Sequence, residues 1–141
     1  MQEGTRASPK AAGVLTEQAA TSILGAAAEC RALESIVVRS GIEIYGRGKG
    51  SLTRPAENAP IRPTSEYGHT LADIEAIATS VANRAGVTVG AVRLASVFGP
   101  HVPSPLGRLL RMPAVPFSAP ADPPFAVIEH NDAARAVVAA A

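Results

Sequence analysis

Tryptophan is absent from this 141-residue chain, and only three Phe and two Tyr supply aromatic surface. Any core must therefore be built from aliphatic and small side chains. The single cysteine, Cys30, excludes a disulfide framework and a cysteine-based zinc site. Neither sign of charge is in excess. Thirteen Lys+Arg against twelve Asp+Glu leave a net charge of +1, without the basic stripe that electrostatic nucleic-acid binding needs. No apolar run approaches the roughly 18 residues of a membrane span. The opening MQEGTRASPKAAG also lacks the apolar stretch of a signal peptide. The expectation is a cytoplasmic protein with no nucleic-acid and no membrane partner. What is plentiful is alanine, at 28 residues, with 12 Gly and 12 Pro. A hydrophobic content of 47% is enough for the core of one ordinary domain and argues against wholesale disorder.

Small polar residues with Pro9 and Gly13 make residues 1–13 read as a flexible leader, with one domain over 14–141. A helix is expected from about Thr16, as N-cap, to about Ala32, with Leu15, Ala19, Ile23, Ala26 and Ala27 as its apolar face. The β-branched run 35–40 reads as a buried strand. Residues 41–66 hold four Gly and three Pro, the composition of a long and usually functional loop. A second helix over 67–84 follows helix-start chemistry at Pro63-Thr64-Ser65, and Gly86 stops it. Leu71, Ile74, Ala78 and Val81 form its stripe. A second strand is placed at 91–95, and a short helix around Leu106, Leu109 and Leu110. A third strand is expected at 125–128, and a last helix over 133–140 with Asp132 in its first turn. Helices alternating with strands imply an α/β fold with parallel strands joined by helical crossovers.

Tyr67 opens a helix directly after the long loop, where a phenol can face a cleft or simply cap a boundary. His69, His101 and His130 have no metal-ligand spacing, so no metal is expected. Ser40, His130 and Asp132 could be assembled into a triad only without any supporting G-x-S-x-G turn. Asp132 is better read as the N-terminal charge of the last helix. Gly46-Arg47-Gly48-Lys49-Gly50 is glycine-rich, but Pro55 follows and no helix starts there, so it is not a dinucleotide turn. Arg47, Lys49 and Arg54 could meet a phosphate or could be solvated charges.

Several pieces in order carry a resemblance. Ser40-Gly41-Ile42-Glu43-Ile44-Tyr45-Gly46 looks like S-S-x-x-V-Y-G. Glu57-Asn58-Ala59-Pro60, Pro63 and Tyr67-Gly68 follow, with Glu75 eight residues beyond Tyr67. Arg93 and Val97-Phe98-Gly99-Pro100 look like R-P-x-x-V-Y-G-P, and His130-Asn131-Asp132-Ala133-Ala134-Arg135-Ala136 looks like H-V-D-D-V-A-R-A. Together they resemble the NAD-dependent epimerase/dehydratase family of extended short-chain dehydrogenases/reductases. The resemblance runs from about Leu15 to Ala141. It covers the middle and later part of that family's nucleotide-binding domain.

The resemblance implies a partial Rossmann-like parallel sheet, NAD or NADP as cofactor, and a sugar-nucleotide-like small-molecule substrate. It implies Tyr67 as the acid/base, Ser96 and Val97 beside substrate and nicotinamide, Ser40 and Arg47 toward the substrate, and a possible homodimer through the Tyr67 helix. Three departures stand out. The family's lysine, one helical turn after the tyrosine, is Leu71. Its Ser/Thr is Gly41, while the neighbouring Ser40 points the other way along a strand. The strand, G-x-x-G-x-x-G turn and helix that receive the pyrophosphate are not found before Leu15. A free tyrosine is almost wholly protonated at neutral pH and is a poor base. His69 lies two residues along, on the wrong face to help it. The expectation is catalysis that is weak or absent. The alternatives are a non-catalytic ligand-binding or dimerisation module, or a truncated gene fragment.

Overall fold

A computed structural model describes residues 9–48, 52, 54–100, 102, 104–114 and 126–141. Helix α1 spans Pro9–Ala28. Its start is seven residues earlier than the expected cap at Thr16, so residues 9–13 are helical rather than leader; residues 1–8 lie outside the described part. Proline suits a first helical position, because its missing N–H would be unpaired there anyway. Strand β1 is Ser35–Gly41, followed by a 3-10 turn at Ile42–Tyr45. Helix α2 is Glu66–Ala85 and strand β2 is Thr88–Leu94. A three-residue strand, β3, covers Ser96–Phe98. Helix α3 is Pro105–Leu109, strand β4 is Val127–Glu129, and helix α4 is His130–Ala139.

The strands pair in parallel, as the alternation of elements required. β1 lies against β2 in register from Ser35 opposite Thr88 to Gly41 opposite Leu94. β3 lies against β4, with Ser96 opposite Val127 and Phe98 opposite Glu129. β3 was not expected as a separate strand. The third expected strand is displaced to Val127–Glu129, and Phe125 lies outside the described residues. Among those residues no helix is long and apolar enough to cross a membrane.

Helix α2 follows its sequence signals closely. Ser65, in extended conformation, accepts the Gly68 N–H at 3.0 Å and caps the start. Gly86 adopts the left-handed conformation at the end (φ 70, ψ 29). The α2 stripe buries Leu71, Ala78, Val81 and Ala82. Ile36 and Val38 of β1 pack on Ala78, Val81 and Ala82, with Leu24 and Ala28 of α1 closing that core. A second cluster joins Leu71 to Ile44 and Tyr45 of the 3-10 turn.

The face of α1 differs from the expected one. Leu15 and Ile23 are exposed, at 62% and 68%, while Leu24 and Ala28 turn inward. Alanine-rich helices carry weak periodicity, so either phase satisfies the sequence and packing chooses. At the other end of the chain, Glu129 caps α4 by accepting the Asn131 N–H at 2.8 Å. Asp132 sits in the first turn of that helix and pairs with Arg135 at 3.3 Å.

Candidate functional site

The carboxyl ends of β1 and β2 meet the start of α2, and this junction holds the tyrosine. The loop before α2 is fastened to the 3-10 turn. Arg62 N–H donates to Ile44 O at 2.9 Å, Arg47 N–H donates to Thr64 Oγ1 at 2.9 Å, and Thr64 Oγ1 donates back to Arg47 O at 3.1 Å. Gly68 then lets the first turn of α2 press onto that surface. A Cβ there would lie 2.7 Å from Glu43 O and 3.1 Å from Pro63 Cβ. The sequence Tyr67-Gly68 is thus one device. The glycine brings the helix close, and its neighbour Tyr67 stays half-exposed at the rim.

Among the described residues the Tyr67 hydroxyl has one partner, Arg39 of β1, whose Nη1 donates to Tyr67 Oη at 2.6 Å. Arg39 falls at the solvent position of the strand's alternation, between buried Val38 and buried Ser40. Beside this pair lies the Gly41–Leu71 contact. A Cβ on Gly41 would point at Leu71 Cδ1, 3.1 Å away, and at the flexible Glu43 Oε2, 2.5 Å away. Leu71 is buried in the Ile44–Tyr45 cluster, at 4% exposure, and offers no polar atom. Gly41 and Leu71 are therefore adjacent, with the Leu71 hydrocarbon on one side of the space above Gly41 and the Glu43 carboxylate on the other.

Ser40 takes no part in this rim. It is buried on the α2-facing side of β1, where Ser40 Oγ makes no hydrogen bond of good geometry. It faces the Glu75 carboxylate closely enough to help hold it ionised. Glu75 is the centre of a clasp. Arg93 Nε donates to Glu75 Oε1 at 3.0 Å and Arg93 Nη2 donates to Glu75 Oε2 at 2.7 Å, a bidentate pair. Arg93 Nη1 donates to Tyr45 Oη at 2.6 Å and to Glu57 O at 2.8 Å, and the guanidinium carbon lies 5.2 Å from the Tyr45 ring centroid. Burial pushes the Glu75 carboxyl up, but the Arg93 hydrogen bonds and charge, with the nearby Ser40 hydroxyl, outweigh it, so its pKa is lowered overall. The Glu75 hydrogen bond, against desolvation, raises the Arg93 guanidinium further above its ordinary range.

Arg47 is exposed and pairs with Glu43 at 3.4 Å. Ser96 and Val97 are half-buried on β3, two and three residues beyond Leu94, the β2 partner of Gly41. They lie in the separate β3–β4 sheet, just past the carboxyl end of β2, and among the described residues no hydrogen bond joins them to Tyr67. Past β3 a cleft of about 510 Å³ opens, lined among others by Phe98, Gly99, Ser104, Arg108 and Arg111. Lys49 and His101 lie outside the described residues. Among those described, no three His, Cys, Asp or Glu side chains gather as a metal site. Sequence reasoning missed Arg39, which resembles any solvated strand charge. It also named Glu75 and Arg93 only as separate pattern residues.

Tyr67 and Ser96 supply hydroxyls at the sheet end, but Leu71 is apolar and packed, and cannot hold a ribose. In the described chain Gly46 and Gly48 are followed by no helix before Glu66. These residues do not make a complete dinucleotide cradle.

The sequence matches the model of the NAD dependent epimerase/dehydratase family over residues 5–114. No curated protein matches it. Among solved structures, a UDP-galactose 4-epimerase superposes with a TM-score of 0.71 at 24% identity, covering 99% of this chain and 47% of that one. TunA, an NAD dependent NDP-hexosamine 5,6-dehydratase involved in tunicamycin biosynthesis, gives 0.72 at 22% identity, covering 98% and 48%. MoeE5, solved in complex with UDP-glucuronic acid and NAD, gives 0.57 at 32% identity, covering 67% and 31%. The chain spans less than half the length of each of these three.

Proposed function

The chain belongs to the NAD dependent epimerase/dehydratase family, and on that premise we propose that it carries the tyrosine-bearing side of a site for a nucleotide-sugar-like small molecule. Tyr67 is the proton donor and acceptor at a sugar oxygen. Hydride chemistry with NAD or NADP is weak or absent. The observation that carries this reading is the Gly41–Leu71 contact. Two positions that would need a hydroxyl and an ammonium beside the phenol hold neither: Gly41 has no side chain, and Leu71 packs as hydrocarbon into the Ile44–Tyr45 cluster. Arg108 and Arg111 beside the cleft past β3 suit the anionic part of such a ligand. Ser96 and Val97 would border the ligand from β3. Ser40, turned inward onto Glu75, is the least suited of the candidates to touch it, and Arg47 could do so only by leaving Glu43.

When bound, NAD or NADP supplies hydride acceptance and return. What this chain's own residues do is hold a phenolic proton at the rim and keep the helix bearing it fixed by the clasp. The packing of Leu71 also favours a second reading, a binding module that retains the ligand surface without turnover. Calorimetric titration of the full chain with UDP-glucose, NAD and NADP tests both readings, with Tyr67→Phe alongside. Binding of UDP-glucose that weakens in Tyr67→Phe is expected. A well-folded chain that binds none of the three would overturn the proposal.

A further inference from the structure

We propose that Arg39 is the cation that orients the Tyr67 phenol, reaching it from β1 and not from one turn along α2. The inference rests on the reading of Tyr67 given above, and it starts from one contact. Arg39 Nη1 donates to Tyr67 Oη at 2.6 Å, short for such a bond and typical of a charge-assisted one. Among the described residues Arg39 forms no ion pair, so none of their carboxylates neutralises its charge. Its side chain also comes from a fixed base. Arg39 lies opposite Val92 within the β1–β2 ladder, between two buried residues.

The chemistry of guanidinium fixes the direction of that bond. Guanidinium has donors only, so the phenol oxygen must be the acceptor. The tyrosine's own proton is then turned away from Arg39 and toward solvent, where a ligand oxygen would sit. If that proton leaves, the same contact becomes an ion pair without any movement. Arginine also keeps its charge at any ordinary pH. A lysine at position 71 would come from within the helix. Arg39 comes from the strand, across the mouth of the site, and leaves the α2 side to the Leu71 packing. Arg39 is thus a positioning residue that acts through Tyr67.

The chain has only two tyrosines, which makes the test simple. Full-length protein is labelled with tyrosine enriched at Cζ, and Tyr67→Phe assigns the two NMR signals. Arg39→Met should shift the Tyr67 signal and leave the Tyr45 signal in place, which also shows that the fold is intact. Added guanidinium ion should return the Tyr67 signal toward its wild-type position, whereas sodium at equal ionic strength should not. A Tyr67 signal that Arg39→Met leaves unmoved would overturn the proposal, as would recovery by sodium alone. If the chain proves active, Arg39→Met should lower kcat by roughly tenfold, the lower end of a hydrogen bond to a charged group, with KM little changed. An unchanged kcat in an active chain would overturn the proposal. If no turnover or ligand binding is found, the functional reading fails on its own while the NMR result still decides the Arg39–Tyr67 pairing.

Discussion

Replacing Arg93 by Met removes four hydrogen bonds at once and leaves a carboxylate stranded. Two of those bonds go to Glu75, one to Tyr45 Oη and one to Glu57 O. The Glu75 side chain is 10% exposed and that of Arg93 is 21% exposed, so the pair is neither a surface ion pair nor a dry one. Breaking a buried pair from one side costs about 3–5 kcal/mol, and residual solvent access lowers that, so about 3 kcal/mol is expected here. For a chain of this size that is roughly a 10 °C fall in Tm. The sign of the pH dependence sharpens the test. In the wild-type protein the folded Glu75 pKa is depressed, so its stabilisation is present above about 4.5 and is lost as pH falls through the folded value. In Arg93→Met burial remains without its cation, so the folded pKa is raised and acidification helps that variant. The stability gap between the two proteins should therefore shrink from neutral to acid pH. Urea denaturation followed by circular dichroism measures it, and the double variant Arg93→Met/Glu75→Gln should recover part of the loss. A gap below about 1 kcal/mol that does not change with pH would refute the clasp as a buried, ionised pair.

Two other perturbations address the site and the helix faces. Gly68→Ala should cost about 1–3 kcal/mol by overpacking, because the new methyl group meets the Glu43 carbonyl and not a flexible side chain; in urea denaturation the loss should accompany a disturbed Tyr67 environment. Ile23→Glu with Leu15→Glu should abolish any self-association seen by sedimentation while leaving the unfolding midpoint nearly unchanged, since both residues lie on the exposed face of α1.

The parts legible in the sequence were those with redundant signals. Helix α2 had a serine cap, a glycine stop and a stripe of Leu, Ile and Val, and all three agree with its position. The β-branched run at β1 could hardly be anything but a buried strand. Helix α1 is legible as a helix, but its start and its inner face are not, because alanine gives little contrast between faces. β3 is three residues long and follows β2 after a single residue, so local pattern alone could not separate them. At the site, Tyr67, Gly41 and Leu71 were placed by pattern, and their adjacency is a fact of the fold. The Arg39–Tyr67 bond spans 28 residues and the Glu75–Arg93 bonds span 18, each across a strand–helix crossover. Such pairings have no sequence period to reveal them. The resemblance points Ser40 toward the substrate, while its burial on the α2-facing side of β1 puts it beside Glu75.

The most direct test compares conversion of a UDP-sugar, with NAD supplied, by the wild-type chain and by the variant Gly41→Ser/Leu71→Lys, each with and without Tyr67→Phe. Leu71→Lys exchanges the branched side chain that a new side chain at Gly41 would meet for an unbranched one, so the pair is introduced together. The account predicts conversion near background for wild type, a rise of about a hundredfold or more in the double variant, and loss of that gain with Tyr67→Phe. Rapid conversion by the wild-type chain, or a gain that survives Tyr67→Phe, would contradict it.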